Sequence, residues 1–179
     1  MPRQARTISA TNVYHAIFRG VNKHQVFEDD EDYIRFLNVL RRQTQPDVDA
    51  QGQTFQPRCH VYAYCLMGNH VHLLLKEESE TIGDIMKRIA SSYVYHYNHK
   101  YGRVGHLFQE RFKSQPVNDF SYFTTLLRYI HQNPLKAMLV DSIDEYEWSS
   151  WQEYNGTARQ GFCSKQVVLG RIPFADLKA

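Results

Sequence analysis

The stretch HVYAYCLMGNHVHLLLK, from His60 to Lys76, decides the fold. Two runs rich in β-branched, aromatic and aliphatic residues flank Gly68 and Asn69, and both of these residues tolerate the positive φ angles of a tight turn. Such a pattern predicts two antiparallel strands joined by a two-residue hairpin loop.

Side chains alternate along a strand, so His70 and His72 share one face of the second hairpin strand. The rise of ~3.4 Å per residue places such positions about 7 Å apart, and both imidazoles can then reach one metal ion. In this register Met67 faces His70 and Cys65 faces His72, so the Cys65 thiol is expected nearby, for packing or as a ligand. Taken alone, the motif also fits two structural histidines on a half-exposed sheet face.

Hydrophobic periodicity predicts further strands and helices on both sides of the hairpin. In chain order the predicted elements are a strand at 13–19, a helix from about 30 to 42, the hairpin strands at 60–67 and 70–76, a helix from 81 to about 102, a short strand at 112–117, and a helix from 119 that Pro134 interrupts. This order is the split βαβ, or ferredoxin-like, pattern of an α+β fold. It predicts an antiparallel-rich sheet with helices on at least one face.

The last predicted helix combines an apolar stripe with a polar flank. The stripe consists of Phe120, Phe123, Leu127 and Ile130. At ~100° per residue, Tyr122, Tyr129 and Asn133 lie beside it, and Tyr129 and Asn133 are neighbours four residues apart. Together they can present a hydroxyl nucleophile and a metal-binding amide oxygen. The alternative is that Tyr129 is an amphipathic edge residue and Asn133 caps the break before Pro134.

Length and composition fit an ordinary globular chain. The 179 residues, 42% hydrophobic and 22% charged, suit one domain with a sizeable core. No apolar run approaches the ~20 residues that span a bilayer. The basic N-terminus lacks the apolar segment of a secretory signal, so a cytoplasmic protein without a membrane partner is expected. Three cysteines without a C-x-x-C pair indicate reduced thiols rather than a disulfide framework.

Charge alone does not indicate a nucleic-acid partner, because the net charge is only +2. The mixture of side chains is more suggestive: 12 Tyr, 10 Phe and 9 His accompany 21 Lys and Arg. Aromatic side chains can stack on bases while cations pair with phosphates. Most of these aromatics are nevertheless expected in the core.

Five sequence blocks, in order over roughly residues 12 to 154, resemble a known family. They are IFRGVNKHQVFEDDEDYIRFL, YCLMGNHVHLLL, YGRVGHLFQERFKS, LLRYIHQNPLKAMLV and YEWSSWQEY. The chain resembles the HUH-type single-tyrosine transposases, and within them the REP-associated tyrosine transposases. The resemblance implies a ferredoxin-like, RRM-like palm and an extra C-terminal helix that carries the nucleophilic tyrosine. It also implies a single domain over 1–179, with a core of about 12–154 and a tail of 155–179.

The resemblance further implies a DNA transposase that cuts single-stranded DNA beside hairpin repeats and rejoins strands through a 5′-phosphotyrosine. In this sequence the nucleophile corresponds to Tyr129. The ligands of a divalent ion, Mg²⁺ or Mn²⁺, correspond to His70, His72 and Asn133. Asn133 stands where the insertion-sequence branch often has Gln, and His131 is the alternative third ligand.

Basic residues are expected to contact the DNA, with cations on phosphates and aromatics on bases. The predicted DNA-binding residues are Arg103, His106, Arg111 and Lys113, among the aromatics Tyr101, Phe108 and Phe112, and Lys87 and Arg88 with Lys100 on the second helix. The resemblance allows a monomer or a homodimer, with Tyr129 acting in its own subunit or in the other. The other histidines are predicted to be structural or surface residues: His15, His24, His60, His96 and His99.

Two other functions fit parts of the sequence. A non-catalytic nucleic-acid-binding module with an RRM-like fold would share the palm, but its aromatic consensus is absent and Tyr129 would have no role beside a histidine pair. A metal-dependent phosphoester hydrolase generally needs a second histidine motif or clustered carboxylates. The acidic run from Glu28 to Asp32 lies at a helix start, where the helix dipole explains it.

Overall fold

The computed structural model describes residues 7–158 and 160–178. Within this part of the chain there are four strands and six α-helices. In chain order they are β1 (Val13–Arg19), α1 (Asp30–Gln43), β2 (Cys59–Met67), β3 (His70–Glu77), α2 (Ile82–Lys100), β4 (Lys113–Pro116), α3 (Phe120–Lys136), α4 (Trp151–Tyr154), α5 (Lys165–Leu169) and α6 (Phe174–Lys178). The basic start of the chain, residues 1–6, lies outside the described residues.

The strands form one antiparallel sheet in the order β2-β3-β1-β4. This is the ferredoxin-like arrangement that the order of elements predicts. The hairpin between β2 and β3 has the predicted register, with Met67 opposite His70 and Cys65 opposite His72. Because β3 is central, both histidines stand in the middle of the sheet rather than at its edge.

One face of the sheet is covered by α1 and α2. Val71, Leu73 and Leu75 of β3 point to this face and join a buried cluster with Phe36 of α1 and Ile85 of α2. Both helices begin at capping residues, Asp29 and Thr81, whose side-chain oxygens accept backbone N–H groups of the first turn. The face carrying His70 and His72 is therefore the opposite one.

The opposite face is covered by α3 and by the segments that follow it. Leu74 of β3 packs in a second buried cluster with Leu127 and Ile130 of α3 and with Trp151. Val168, Ile172 and Leu177 belong to the same cluster, so part of the predicted tail contributes to this core. Helices thus lie on both faces of the sheet.

Two expectations for α3 are wrong. The helix continues through Pro134 to Lys136 instead of stopping, and the N–H groups of Ala137 and Leu139 bond to carbonyls of its last turn. Proline has no N–H, so the last turn of α3 lacks the hydrogen bond that residue 134 would otherwise donate to the carbonyl of Ile130. Phe120 is 46% exposed rather than part of the inner stripe, because the first turn of α3 extends beyond the second core cluster.

The N-cap of α3 yields a stability prediction. Asp119 accepts the backbone N–H of Tyr122 at 2.7 Å. Replacing Asp119 with Ala removes this acceptor and should lower the free energy of unfolding by about 1 kcal/mol, measured by urea denaturation. Asp119→Asn retains a capping oxygen and should stay close to the wild type. Equal losses in both variants would contradict the capping role.

Two further findings concern the cysteines and membranes. Cys59, Cys65 and Cys163 are all free and buried. Burial raises the pKa of the Cys65 thiol well above its ordinary value, so this residue packs as a neutral side chain beside His72. No helix in the described part of the chain combines the length and apolar character needed to cross a bilayer.

Candidate active site

His70 and His72 line a common pocket of about 310 Å³ on the α3 face of the sheet. Their ring centroids are 5.0 Å apart and the ring planes are nearly perpendicular. His70 is half-buried, and His72 is only 4% exposed. The pair is neither sealed in the core nor split between faces, and both rings reach the same pocket.

Each imidazole is held through its Nδ1 atom. His70 Nδ1 lies 2.6 Å from Asn69 Oδ1, and His72 Nδ1 lies 3.0 Å from His15 Nε2. Neither Nε2 atom makes a hydrogen bond to a described residue. Burial lowers the pKa of His72 to about 3, and burial together with the nearby Arg19 lowers the pKa of His70. Both rings are therefore neutral at physiological pH and can offer lone pairs.

Tyr129 of α3 lines the same pocket. Its ring makes an edge contact with His72, with centroids 5.6 Å apart and planes at 88°. Lys136, two turns later on the same helix, places its ammonium 5.1 Å from the centre of the Tyr129 ring. A single chain thus brings the predicted nucleophile and the predicted histidines together, and the Tyr129 side chain keeps 37% exposure.

The segment before β4 completes the pocket. Gln109 donates its backbone N–H to the carbonyl of Arg19 at 2.8 Å, which extends the sheet pairing beyond the end of β1. This contact brings Gln109, Glu110 and Phe112 to the pocket wall with Arg19 and Lys113. Of these, the sequence predicted Phe112 and Lys113 and missed the other three. No local pattern marks Gln109 and Glu110, because long-range pairing with β1 places them.

The predicted third ligand is close to the site but does not line the pocket. Asn133 is buried, and its amide nitrogen donates to the carbonyl of Tyr129 at 2.8 Å. The alternative ligand, His131, is wrong for this structure. It is fully buried on another flank of α3, where its Nε2 bonds to Ser150 at 2.8 Å and its ring contacts Trp151. Consecutive helical residues point in different directions, and two residues from Tyr129 the side chain enters the core.

The predicted DNA-contacting cations before β4 are all on the surface. Lys113 lines the pocket, and its Nζ lies 3.8 Å from Glu110 Oε1. Arg111 is exposed between two pocket residues, and His106 is also exposed. Arg103 is exposed as well and places its guanidinium 5.6 Å from the centre of the Tyr97 ring.

Two of the aromatics expected to stack on bases have structural partners instead. Phe108 is buried and stacks on Phe18 with centroids 4.6 Å apart. The Tyr101 hydroxyl donates to the buried carboxylate of Asp32 at 2.8 Å. Phe112 alone of the three lines the pocket.

The cations of α2 lie across the sheet from the pocket, because α2 packs on the other face. Arg88 donates to both carboxylate oxygens of Glu80, at 2.8 and 3.0 Å, and Lys100 forms ion pairs with Asp29 and two neighbouring acids. Lys87 is exposed. The structure therefore does not bring these residues together with the catalytic candidates.

The donor atoms fit a divalent cation in part. Two neutral imidazoles with unengaged Nε2 atoms are suitable ligands for Mn²⁺ and related ions. No group of three His, Cys, Asp or Glu side chains among the described residues is arranged to hold a metal ion. Oxygen donors are available at the pocket wall in Gln109 and Glu110, whereas Asn133 does not line the pocket. A metal here would thus use the histidine pair and oxygen atoms from amides, carboxylate, water or substrate.

His15 is a further residue of this region to which the sequence analysis assigned no function. It stacks on His72 with ring centroids 5.2 Å apart and contacts the Tyr129 ring at 6.3 Å. Burial lowers the pKa of His15 to about 4, and the neighbouring Gln115 opposes this shift in part. No described residue makes a hydrogen bond to the buried Nδ1 atom of His15. The sequence does contain a signal for the position of His15. Side chains alternate along β1, so His15 lies on the face opposite to that of Ala16 and Phe18.

Comparison with known proteins agrees with this architecture. Residues 9–133 match the family model described as "Transposase IS200 like". The fold matches a solved REP-associated tyrosine transposase bound to a REP hairpin, with TM-score 0.67, 13% identity and 90% of each chain covered. A proposed transposase from Deinococcus radiodurans R1 has TM-score 0.45 and 19% identity over 73% of this chain and 97% of its own. No curated protein sequence matches. Because the family model spans well over half of the sequence, the chain belongs to the family of IS200-like transposases.

Proposed function

We propose that this transposase cuts and rejoins single-stranded DNA beside a hairpin, using Tyr129 as nucleophile and a divalent cation held by His70 and His72. One observation carries the proposal: the Tyr129 ring packs against His72 at 5.6 Å, and both residues line one pocket with His70. A non-catalytic binding module gives no reason for a half-exposed phenol beside two neutral imidazoles with free lone pairs.

The histidines supply the fixed part of the cation site. Hydrogen bonds at Nδ1 restrict rotation of both rings, and the lowered pKa values keep both rings neutral, so that each ring has one lone pair to offer. When bound, Mg²⁺ or Mn²⁺ would neutralise negative charge on a non-bridging phosphate oxygen and orient the scissile group. Asn133 remains a proposed third ligand, because its side chain is one helical turn from Tyr129.

Tyr129 performs the chemical step. Its phenolic oxygen attacks the phosphorus of the scissile phosphodiester, and the phenolic proton passes to a water molecule. The bond between phosphorus and the 3′ oxygen breaks, and the leaving oxygen takes up a proton to become a free 3′-OH. The product is a 5′-phosphotyrosine, so a second 3′-OH can attack it and rejoin strands. No nucleotide cofactor is needed.

Three cations surround the reacting atoms. Arg19 and Lys113 line the pocket, and Lys136 lies over the Tyr129 ring. Positive charge at these positions attracts the DNA backbone and opposes the charge that develops on phosphate oxygens. We assign Arg111 and Lys113 to the single strand next to the cleaved bond, and Arg103 and His106 to DNA further away.

The partner proposed from the structural relative is a DNA hairpin, since that protein is bound to a REP hairpin. If the stem reaches across the protein, we assign it to Lys87 on α2, which is exposed and forms no ion pair with a described residue, whereas Arg88 is already paired with Glu80. Because His70, His72 and Tyr129 of a single chain line one pocket, we propose that Tyr129 acts in cis and that a homodimer is not required for the chemistry.

A direct test begins with a search for inverted repeats next to the coding region and uses hairpin oligonucleotides with the sequences found there. With Mn²⁺, DNA labelled at its 3′ end should become covalently attached to the protein and migrate with it on a denaturing gel. DNA labelled at its 5′ end should instead yield a short free fragment ending in 3′-OH. Chelation with EDTA should abolish both products. Tight binding of the hairpin without any adduct would support the binding-module alternative.

A further inference from the structure

We propose that His15 is a positioning residue for the candidate cation site: it accepts the Nδ1–H of His72 and so leaves the lone pair of His72 Nε2 free to bind the cation. The inference rests on the proposed function, in which His70 and His72 are ligands. It goes further by giving a role to a β1 side chain that does not itself line the pocket.

The contact between the two histidines is direct and shielded from water. His15 Nε2 lies 3.0 Å from His72 Nδ1, and both side chains are only 4% exposed. The rings stack with an angle of 16° between their planes. In the sheet His15 stands opposite Leu74 and thus diagonal to His72, a distance that long or aromatic side chains can bridge. The strand pairing of β1 and β3 therefore fixes this hydrogen bond.

The position of one proton in this bond decides what His72 can do. A neutral imidazole carries one N–H and one lone pair, on different nitrogens. If His72 donates from Nδ1, its Nε2 has the lone pair and can bind a cation. If His15 donates from Nε2 instead, the proton of His72 stays on Nε2 and blocks that ligand position. His15 favours ligation only as the acceptor.

His70 also needs a hydrogen-bond acceptor at its Nδ1 atom, and the side chain of Asn69 supplies it. Asn69 donates through its amide nitrogen to the carbonyl of Lys23 at 3.3 Å, which leaves its Oδ1 facing His70 Nδ1. An amide oxygen only accepts, so His70 carries its proton on Nδ1 and its lone pair on Nε2. His72 has no such amide partner among the described residues, and His15 takes this place. Loss of a partner of this kind typically lowers metal affinity 10–100-fold.

The same ring also supports the nucleophile. Tyr129 makes edge contacts with both stacked rings, at 6.3 Å from His15 and 5.6 Å from His72. The two imidazoles thus form a continuous surface under the phenol. Loss of the ring at position 15 removes a contact of Tyr129, whereas the position of the ligand depends on the hydrogen-bond acceptor at that site.

Two substitutions separate hydrogen bonding from packing. His15→Leu keeps an apolar side chain of similar size but removes the acceptor, whereas the side-chain oxygen of His15→Gln reaches about the position of Nε2. Titration of the full chain with Mn²⁺ by calorimetry, without DNA, should show a dissociation constant about 10–100-fold higher for His15→Leu. The Mn²⁺ dissociation constant of His15→Gln should remain within about fivefold of the wild-type value, because the acceptor is retained.

A second measurement locates the proton itself. Long-range ¹H–¹⁵N correlation spectra of the metal-free wild type should show His72 protonated at Nδ1, and in His15→Leu the proton should redistribute to Nε2. If His15→Leu does not fold, the wild-type spectrum decides alone, because protonation of His72 at Nε2 overturns the proposal. Equal Mn²⁺ affinity in the wild type and His15→Leu, or equal loss in both variants, overturns it and leaves the proposed function standing. A wild type that binds no Mn²⁺ overturns both.

Discussion

Replacing Tyr129 with Phe is expected to abolish covalent attachment of DNA and to slow strand cleavage by about a thousandfold or more. The substitution removes one oxygen atom and retains the aromatic ring that packs against His72 and lies under Lys136. The loss therefore measures chemistry rather than folding. A thousandfold loss corresponds to about 4 kcal/mol of activation free energy. Denaturing gels with 3′-labelled hairpin DNA give the measurement.

The chain offers a closely matched control in Tyr122. This residue lies on α3 as well and is 36% exposed, against 37% for Tyr129. Its hydroxyl donates to Gln115 at 3.4 Å on the exposed edge strand. Tyr122→Phe should form the adduct at the wild-type rate. An adduct that persists in Tyr129→Phe and disappears in Tyr122→Phe would show that the nucleophile is assigned to the wrong tyrosine.

Local signals predicted most of the fold. The turn residues Gly68 and Asn69 fixed the β2–β3 register, because a two-residue loop leaves one pairing for the residues on either side. The capping residues Asp29, Thr81 and Asp119 likewise marked where the three long helices begin. Each of these signals acts over a few residues, so it is present in any single sequence.

Features that depend on distant contacts were harder to predict. The helix α3 continues past Pro134: Ile130 belongs to the second core cluster and Asn133 and Pro134 are buried, which are tertiary contacts that no local pattern specifies. Phe120 was placed on the inner stripe because periodicity gives the direction of a side chain but not how far the core extends.

The residues of the candidate site likewise include some that local sequence predicts and others that only distant contacts place. His70, His72 and Tyr129 follow from strand and helix periods, and the structure brings all three to one pocket. Gln109 and Glu110 reach the pocket only through pairing with the end of β1, so no spacing rule indicates them. Two facts together place His15 beside His72: the face of β1 on which it lies, and the pairing of β1 with β3. The first follows from alternation along the strand, whereas the second depends on a distant contact.

The second large effect is expected from removal of the histidine ligands. His70→Ala and His72→Ala each remove one imidazole whose Nε2 makes no hydrogen bond to a described residue. Loss of a metal ligand should raise the Mn²⁺ dissociation constant well over tenfold and slow cleavage by two to four powers of ten at low Mn²⁺, because the cation supplies several kcal/mol of charge stabilisation. Calorimetry and cleavage assays measure the two effects. Circular dichroism checks that both variants are folded, which matters most for His72→Ala because His72 is buried.

The dependence of cleavage on Mn²⁺ concentration distinguishes loss of a histidine ligand from loss of the Tyr129 hydroxyl. If the histidines act by holding a cation, a hundredfold increase in Mn²⁺ should restore part of the cleavage by His70→Ala, which weakens binding without removing the phenol. The same increase should not help Tyr129→Phe. His99→Ala, exposed on α2 across the sheet, should match the wild type throughout. Cleavage by His70→Ala and His72→Ala at the wild-type rate and with unchanged Mn²⁺ dependence would contradict the cation site, even with Tyr129 confirmed as the nucleophile.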